Sequence, residues 1–375
     1  MTNRLQELHD AGVSIWLDFI DRTILRNGDL KRRITDDALT GMTSNPTIFE
    51  KALAEGTAYD DQLKAVEGDR TAIDLFELVE TTDVRDACDI FRPVYDKTNG
   101  YDGYVSIEVS PGAANDANAT MAEVQRLWAT VDRPNVMIKI PGTVEGANAV
   151  RQATAAGINV NITLLFAIEA YARVIDAYMA GLEDRVNAGK DISRIHSVAS
   201  FFVSRVDSEI DKRLDAAAGN DASKKSTLEA LKGKAAIANA KLAYELFQKQ
   251  FSSPRWKALE AKGGTVQRPL WASTSTKNPA YNDVMYVEDL IGPTSVNTMP
   301  PATITAFKDH GKVARTVDKD YDGARKVIAD LAANGIAMKD VTDKLLSEGI
   351  ASFTKSFDSL LGGLRDKAKK LGKVA

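Results

Sequence analysis

Short runs in which apolar and polar residues alternate with a period of two recur along this chain, over residues 13–18, 39–46, 104–109, 136–142, 158–164, 196–203, 269–273 and 294–297. Each reads as a strand. Between them the apolar residues fall at helical spacing: 4–12, then 46–98 in pieces broken at Gly56 and Gly68, 113–131, a helix from Val144 to Gly157, and 166–187 stopped by Gly189. The charged, Ala-rich stretch 207–250 follows a helix start at Ser204-Arg205 and predicts a long helix with a break near Gly219-Asn220. A short helix carrying Asp283 and Glu288 separates the last two strands, and 318–372 reads as helices, broken at Asn334-Gly335, loosened at Gly362-Gly363 and ending in a basic tail.

Strands alternating with helices predict a parallel β/α architecture. Neither GxGxxG nor GxxxxGK[ST] occurs, so a doubly wound nucleotide-binding sheet lacks its phosphate loop. The fold expected is therefore α/β, a single (β/α)8 TIM barrel with extra helices, spanning 1–310. Residues 311–375 are expected to form a helical C-terminal extension packed on it.

One strand breaks its own pattern. In Val136-Met137-Ile138-Lys139-Ile140-Pro141-Gly142, Val136, Ile138 and Ile140 share one face, and Met137 and Lys139 share the other. If both faces are covered, Lys139 is buried, where loss of hydration disfavours its ammonium form, and a neutral amine attacks carbonyls. The alternative is a lysine on a half-exposed strand that snorkels its head to water.

Lys139 is not the only polar residue near a strand end. Asp18, Asn45, Glu108, Asn161, Thr163, Ser200 and Ser273 occupy similar places. In a TIM barrel those places converge on one mouth, where the active site is built. Each alone reads equally as a cap or a solvated residue; together they form a candidate site.

Composition narrows the chemistry. The net charge of -4 offers no general attraction for nucleic acid or an anionic membrane, so an anion site has to be built locally. Three widely spaced histidines and a single cysteine, Cys88, argue against a zinc site and against an internal disulfide; no metal or other cofactor is expected. The beginning of the chain lacks a signal-peptide core, and no apolar run reaches membrane-spanning length, so a cytoplasmic protein is expected.

An amine flanked by two carboxylates, with amides and hydroxyls around it, suits covalent carbonyl chemistry on a polyhydroxylated substrate. Lys139 would form a Schiff base with a ketone, Glu108 with Thr163 would handle the water lost, and Asp18 would be the base for cleaving a C–C bond. The asparagines would hold hydroxyl groups and fix which bond breaks.

The segments Thr43-Ser44-Asn45-Pro46, Val105-Ser106-Ile107-Glu108-Val109, Ile138-Lys139-Ile140-Pro141, Gly157-Ile158-Asn159-Val160-Asn161-Ile162-Thr163-Leu164 and Ser200-Phe201-Phe202-Val203-Ser204-Arg205 resemble, in order and spacing, the motifs of the transaldolase family. The resemblance covers roughly residues 10–310. It implies a class I aldolase barrel without a cofactor. The reaction implied is transfer of a dihydroxyacetone unit from sedoheptulose 7-phosphate or fructose 6-phosphate to an aldose phosphate, glyceraldehyde 3-phosphate or erythrose 4-phosphate. That reaction belongs to the non-oxidative pentose phosphate pathway. It also implies Lys139 as the Schiff-base lysine, Asp18 as the acid/base for cleavage and Glu108 with Thr163 as the water-handling pair. Asn45, Asn161, Ser200 and Thr43 resemble hydroxyl-binding residues, and Arg205 the principal phosphate ligand.

In the better-known branch an arginine follows the strand-seven serine by two residues. Here Ser273 is followed by Thr274 and Ser275, and Lys277 is the expected substitute, with Ser273 and Ser275 as further phosphate ligands. The partners expected are small sugar phosphates, with neither nucleic acid nor membrane, and the chain is expected as a monomer or homodimer. Two rival activities remain. A fructose 6-phosphate aldolase of the same superfamily releases free dihydroxyacetone; Phe202, where that group carries tyrosine, and Glu108 favour the transferase. A catalytically silent sugar-phosphate-binding barrel would use Lys139 only as an anion ligand.

Overall fold

The computed structural model describes residues 3–54, 56–68, 70–219 and 222–371. Eight parallel strands close into a barrel in sequence order: β1 (Val13–Asp18), β2 (Leu39–Thr43), β3 (Tyr104–Glu108), β4 (Val136–Pro141), β5 (Val160–Leu165), β6 (Ser197–Phe202), β7 (Gln267–Ala272) and β8 (Ser295–Met299). Closure is completed by β1 pairing with both β2 and β8. This is the (β/α)8 fold expected from the alternation of elements, with boundaries moved by up to three residues.

The strands are buried along nearly their whole length because the barrel packs side chains inside while helices cover the outside. The floor of the lumen is polar but neutralised: Trp16 Nε1 donates to Asp102 at 2.8 Å, Ser14 Oγ also bonds Asp102, and Arg268 donates to Ser14 Oγ at 2.7 Å. Gly41 of β2 is required here, since a Cβ would lie 2.5 Å from the Trp16 indole.

Register places the chemistry. Glu108 of β3 lies beside Lys139 of β4, which lies beside Asn161 of β5, so three polar side chains share one level of the lumen. Thr163 pairs with Pro141 one level nearer the mouth. The expected alternation on β5 ends at Ile162: Leu164 takes a left-handed backbone (φ 58) where the β5–β6 register slips. Its side chain instead packs against Gly349 of the C-terminal helix.

Helices Arg22–Arg26, Asp29–Asp36, Pro254–Glu260 and Pro301–His310 are not among those expected, and three expected helical stretches differ in detail. The stretch 207–250 is three helices, Ser204–Ala218, Ala222–Glu229 and Ala235–Gln250; the break at Gly219 is present, Asn220 lies outside the described residues, and a second, unexpected break at 230–234 holds Gly233 in a left-handed backbone (φ 68). Only Glu288 belongs to the short helix Met285–Glu288; Asp283 precedes it and contacts His310. Gly362-Gly363 does not loosen the last helix, which runs unbroken from Met338 to Lys370, since packing of its other residues offsets the low helix propensity of two glycines.

That last helix lies across the C-terminal end of the barrel. It packs on helices Pro46–Ala54, Ala72–Lys97 and Ser204–Ala218 and on β5. Ser356 accepts from Thr47 at 2.9 Å, Phe357 meets Phe76 edge-on at 5.6 Å, and Lys344 bonds Glu209 at 2.8 Å. Helix Tyr321–Ala333 packs on Ala235–Gln250. No helix among the described residues is long and apolar enough to cross a membrane.

Candidate active site

At the C-terminal ends of the strands a cavity of about 300 Å³ is lined by Asp18, Thr43, Asn45, Lys139, Thr163, Ser200, Phe202, Arg205, Ser273, Ser275 and Lys277. These are most of the side chains singled out in the sequence, drawn from six of the strands or the loops after them. Glu108 and Asn161 lie behind this wall.

Lys139 is 5% exposed. Its Nζ donates to the Ser44 carbonyl at 2.9 Å and lies 3.0 Å from Glu108 Oε2. Burial raises the Glu108 carboxyl above its ordinary value, and the Lys139 ammonium partly offsets that. Glu108 is thus a carboxylate willing to take a proton, beside the amine that has to lose one.

Three strands away on β1, Asp18 is likewise raised by burial, offset by the charge of Lys139, by Thr43 and by Arg205. Thr43 Oγ1 donates to Asp18 Oδ1 at 2.7 Å and lies 2.7 Å from Thr298 Oγ1. The one Thr43 proton is engaged with Asp18, so Thr298 donates to Thr43, and a two-hydroxyl chain supports the carboxylate. Thr163 Oγ1 is buried without a hydrogen-bond partner among the described residues. A hydroxyl left in that state at a cavity wall is free to hold a substrate group or a water.

Asn161 sits one step deeper. Its Nδ2 donates to Ser106 Oγ at 2.9 Å, and its Oδ1 accepts from Ser200 at 2.7 Å. It therefore orients Ser200, which does line the cavity. Asn45 caps the following helix by accepting from Ile48 N at 3.0 Å, which fixes its side chain at the cavity edge.

The far end of the cavity is cationic. Arg205, in the first turn of helix Ser204–Ala218, has its guanidinium 5.2 Å from the Phe202 ring centroid, with no ion pair to a carboxylate among the described residues. That helix has no side-chain cap, but Ser204 N donates to the Ser273 carbonyl and Val206 N to the Val203 carbonyl, both at 3.0 Å, so what the helix start offers an anion is chiefly its positive dipole end. Ser273 has a left-handed backbone (φ 56) just past β7 and exchanges a 2.9 Å hydroxyl contact with Ser204. Lys277 is exposed, donates to Ser275 at 2.6 Å, and is pulled below its ordinary value by burial of part of the side chain and by the charge of Arg205. Thr274, in the place next to the missing arginine, turns inward to Asn297 and the Thr298 carbonyl.

The family model for transaldolase/fructose-6-phosphate aldolase matches residues 15–364. The chain belongs to the transaldolase/fructose-6-phosphate aldolase family. Among relatives in this family, a transaldolase from Frankia alni is 49% identical over 100% of this chain and 99% of its own. One from Thermobifida fusca is 51% identical over 96% and 97%, and one from Trichodesmium erythraeum is 49% identical over the full length of both. The family assignment expected from the motifs is thereby established, and the chain is an enzyme of the transaldolase kind.

Some lining residues of this transaldolase-family site were not visible in its sequence. Lys51, Thr47 and Ile48 come from the helix after Asn45-Pro46, Thr298 and Pro300 from the end of β8, and Phe353 from the C-terminal helix. Thr298 carries a signal in retrospect, since β8 extends past 297. Lys51 and Phe353 sit on helices whose periodicity reads as ordinary amphipathic packing.

Proposed function

We propose that this enzyme transfers a dihydroxyacetone unit from fructose 6-phosphate or sedoheptulose 7-phosphate to an aldose phosphate, through a Schiff base on Lys139. The observation that carries this is the Lys139–Glu108 pair, 3.0 Å apart and buried, at the wall of a cavity with Asp18 on one side and, at its far end, Arg205 and Lys277, which make no ion pair among the described residues. A cavity of about 300 Å³ is at the small end of ligand sites, which suits one sugar phosphate.

The donor's phosphate is held by Arg205, Lys277, Ser273 and Ser275, with Lys51 adding charge, which brings its C2 carbonyl toward Lys139. The ammonium passes a proton to Glu108, and the amine attacks C2 to give a carbinolamine. Glu108 returns that proton to the departing hydroxyl, directly or through a water at Thr163, and the protonated imine forms as water leaves. The imine draws electrons from the C3–C4 bond. Asp18 removes the C4 hydroxyl proton, that bond breaks, and the shortened aldose phosphate departs. The enamine left on Lys139 adds to the aldehyde of the acceptor, with Asp18 returning its proton, and hydrolysis of the new imine regenerates the lysine. Asn45 and Ser200, the latter oriented by Asn161, hold hydroxyl groups so that the cleaved bond stands perpendicular to the imine plane.

Phe202, packed 5.2 Å from Phe166, presents an apolar wall that keeps an activated water from the side of the imine it covers, which favours transfer over release of free dihydroxyacetone. A chain with one buried, free cysteine, Cys88, fits a reducing cytoplasm and the pentose phosphate pathway.

The test is borohydride reduction in the presence of fructose 6-phosphate. A dihydroxyacetone-derived mass is expected on the peptide containing Lys139, and labelling at another lysine, or at none, overturns the mechanism. Turnover of fructose 6-phosphate with and without erythrose 4-phosphate separates transferase from lyase.

A further inference from the structure

Glu108 touches Lys139 but does not line the sugar cavity. It opens instead onto a second cavity of about 100 Å³, behind β3, walled by helices Ala72–Lys97, Ala117–Val131 and the C-terminal helix. A second buried carboxyl, Glu80, lines the same space and is 5% exposed.

The other charged groups around this space are already engaged. Arg126 of helix Ala117–Val131 holds Glu77 at 2.9 and 3.0 Å, and Glu123 accepts from Ser110 N and Oγ, both at 2.6 Å. From β4 the nearby charge is Lys139, on the far side of Glu108; the C-terminal helix contributes only Phe357 and helix Pro46–Ala54 only Pro46. No hydrogen bond or ion pair among the described residues reaches the Glu80 carboxyl. An acid buried in that way costs stability unless something else retains it, because an apolar side chain would fill the place better.

We propose that Glu80 is a positioning residue that acts through Glu108: the two carboxyls face one cavity, hold a single proton between them at rest, and so set the alkaline limit of imine formation at Lys139. This rests on the reading of Lys139 as the imine-forming lysine. Burial and the Glu108 charge push Glu80 well above the ordinary carboxylate range, with Glu77 and Glu123 adding to the push. Glu80 is then the protonated member and Glu108 the charged one, as expected for like charges that share a small space. The proton taken from the Lys139 ammonium goes to Glu108 and leaves with the carbinolamine hydroxyl as water, so Glu80 is not consumed. When rising pH strips Glu80, a second negative charge faces Glu108. Glu108 then holds its proton more tightly and delivers it to the carbinolamine more slowly.

The experiment compares wild type with Glu80→Gln by rapid-quench borohydride trapping with fructose 6-phosphate across the acid, neutral and alkaline range. The expected result is that the acid limb of imine formation stays in place while the alkaline limb moves up by about one pH unit or more, or disappears, because the amide cannot ionise. Glu80→Asp should restore an alkaline limb. A second readout needs no substrate. A carboxyl raised by folding contributes stability that is lost as pH climbs through its folded value, so the Tm advantage of Glu80→Gln over wild type should grow with pH. If glutamine blocks folding, Glu80→Met serves in its place. Profiles of the same shape, differing only by a constant factor, overturn the inference. Absence of trapping in the wild type would instead overturn the Schiff-base mechanism itself.

Discussion

Asp18 can act as a base only while ionised, and the structure says what keeps it so. Burial pushes its proton affinity up, and the Thr43 hydroxyl, at 2.7 Å, is one of the contacts that pull it back. Thr43→Val removes that donor while keeping the shape of a side chain that is 2% exposed. A hydrogen bond to a charged group contributes roughly 1.5–3 kcal/mol. Asp18 faces an open cavity, so water replaces part of the loss, leaving about 1 kcal/mol. With about 1.4 kcal/mol per pH unit, the acid limb of kcat/KM should move up by about 0.7 unit. The sign is fixed: losing a donor to the carboxylate favours its protonated form, so a higher pH is needed to ionise it. Thr298→Val, which removes only the hydroxyl behind Thr43, should move the limb in the same direction by less.

The assay is the pH dependence of transfer from fructose 6-phosphate to erythrose 4-phosphate, alongside the pH dependence of borohydride trapping. Only the first should shift, because imine formation depends on Glu108 and not on Asp18. An unmoved acid limb in Thr43→Val, or an equal shift in both profiles, refutes Asp18 as the base for C–C cleavage.

Three further outcomes are expected. Lys277→Ala should raise KM for phosphorylated donors about tenfold, from one charge-assisted contact of roughly 1.5 kcal/mol at an exposed site, and leave a non-phosphorylated ketose nearly unchanged; equal effects on both remove Lys277 from the phosphate site. Phe202→Tyr should raise release of free dihydroxyacetone relative to transfer, measured as turnover without acceptor, and an unmoved ratio removes Phe202 from the choice between the two activities. Phe353→Ala opens the roof of the sugar cavity and removes a large buried side chain, so it should lower the unfolding free energy by about 3 kcal/mol in urea titration and lower kcat/KM as well; unchanged kinetics would leave the helix a purely structural strap.

The barrel was legible because each strand carries its own period, and period alone sorts lumen from helix side. Lys139 stood out as a charge within an apolar run, and Glu108 as the polar residue closing an alternating one. Pairing register was not legible, yet it is register that sets Glu108, Lys139 and Asn161 at one level and Thr163 above them. Asn161 shows the consequence. Alternation gives its face, but only register gives its depth, which sets its amide against Ser106 and Ser200 behind the cavity lining. Leu164 shows another, since a single left-handed residue ends the alternation that the sequence presents as continuous.

Glu80 exposes a deeper limit. On a helical wheel it is one acid among the Glu77, Glu80 and Asp83 of helix Ala72–Lys97, and nothing in the local pattern separates them. Asp83 is buried against Arg22, which donates to it at 2.8 Å; Glu77 reaches outward to Arg126; Glu80 meets neither. What distinguishes it is the space left between three helices and the end of β3, where the edge-on contact of Phe76 with Phe357 is one of the contacts holding the C-terminal helix. Glu108 thereby lines the second space while its carboxylate reaches the amine that lines the first. The two spaces meet at the Lys139–Glu108 pair. An acid in the second space can retune the proton step without changing a single contact to the sugar, and this is why the decisive measurements here are pH profiles and not affinities.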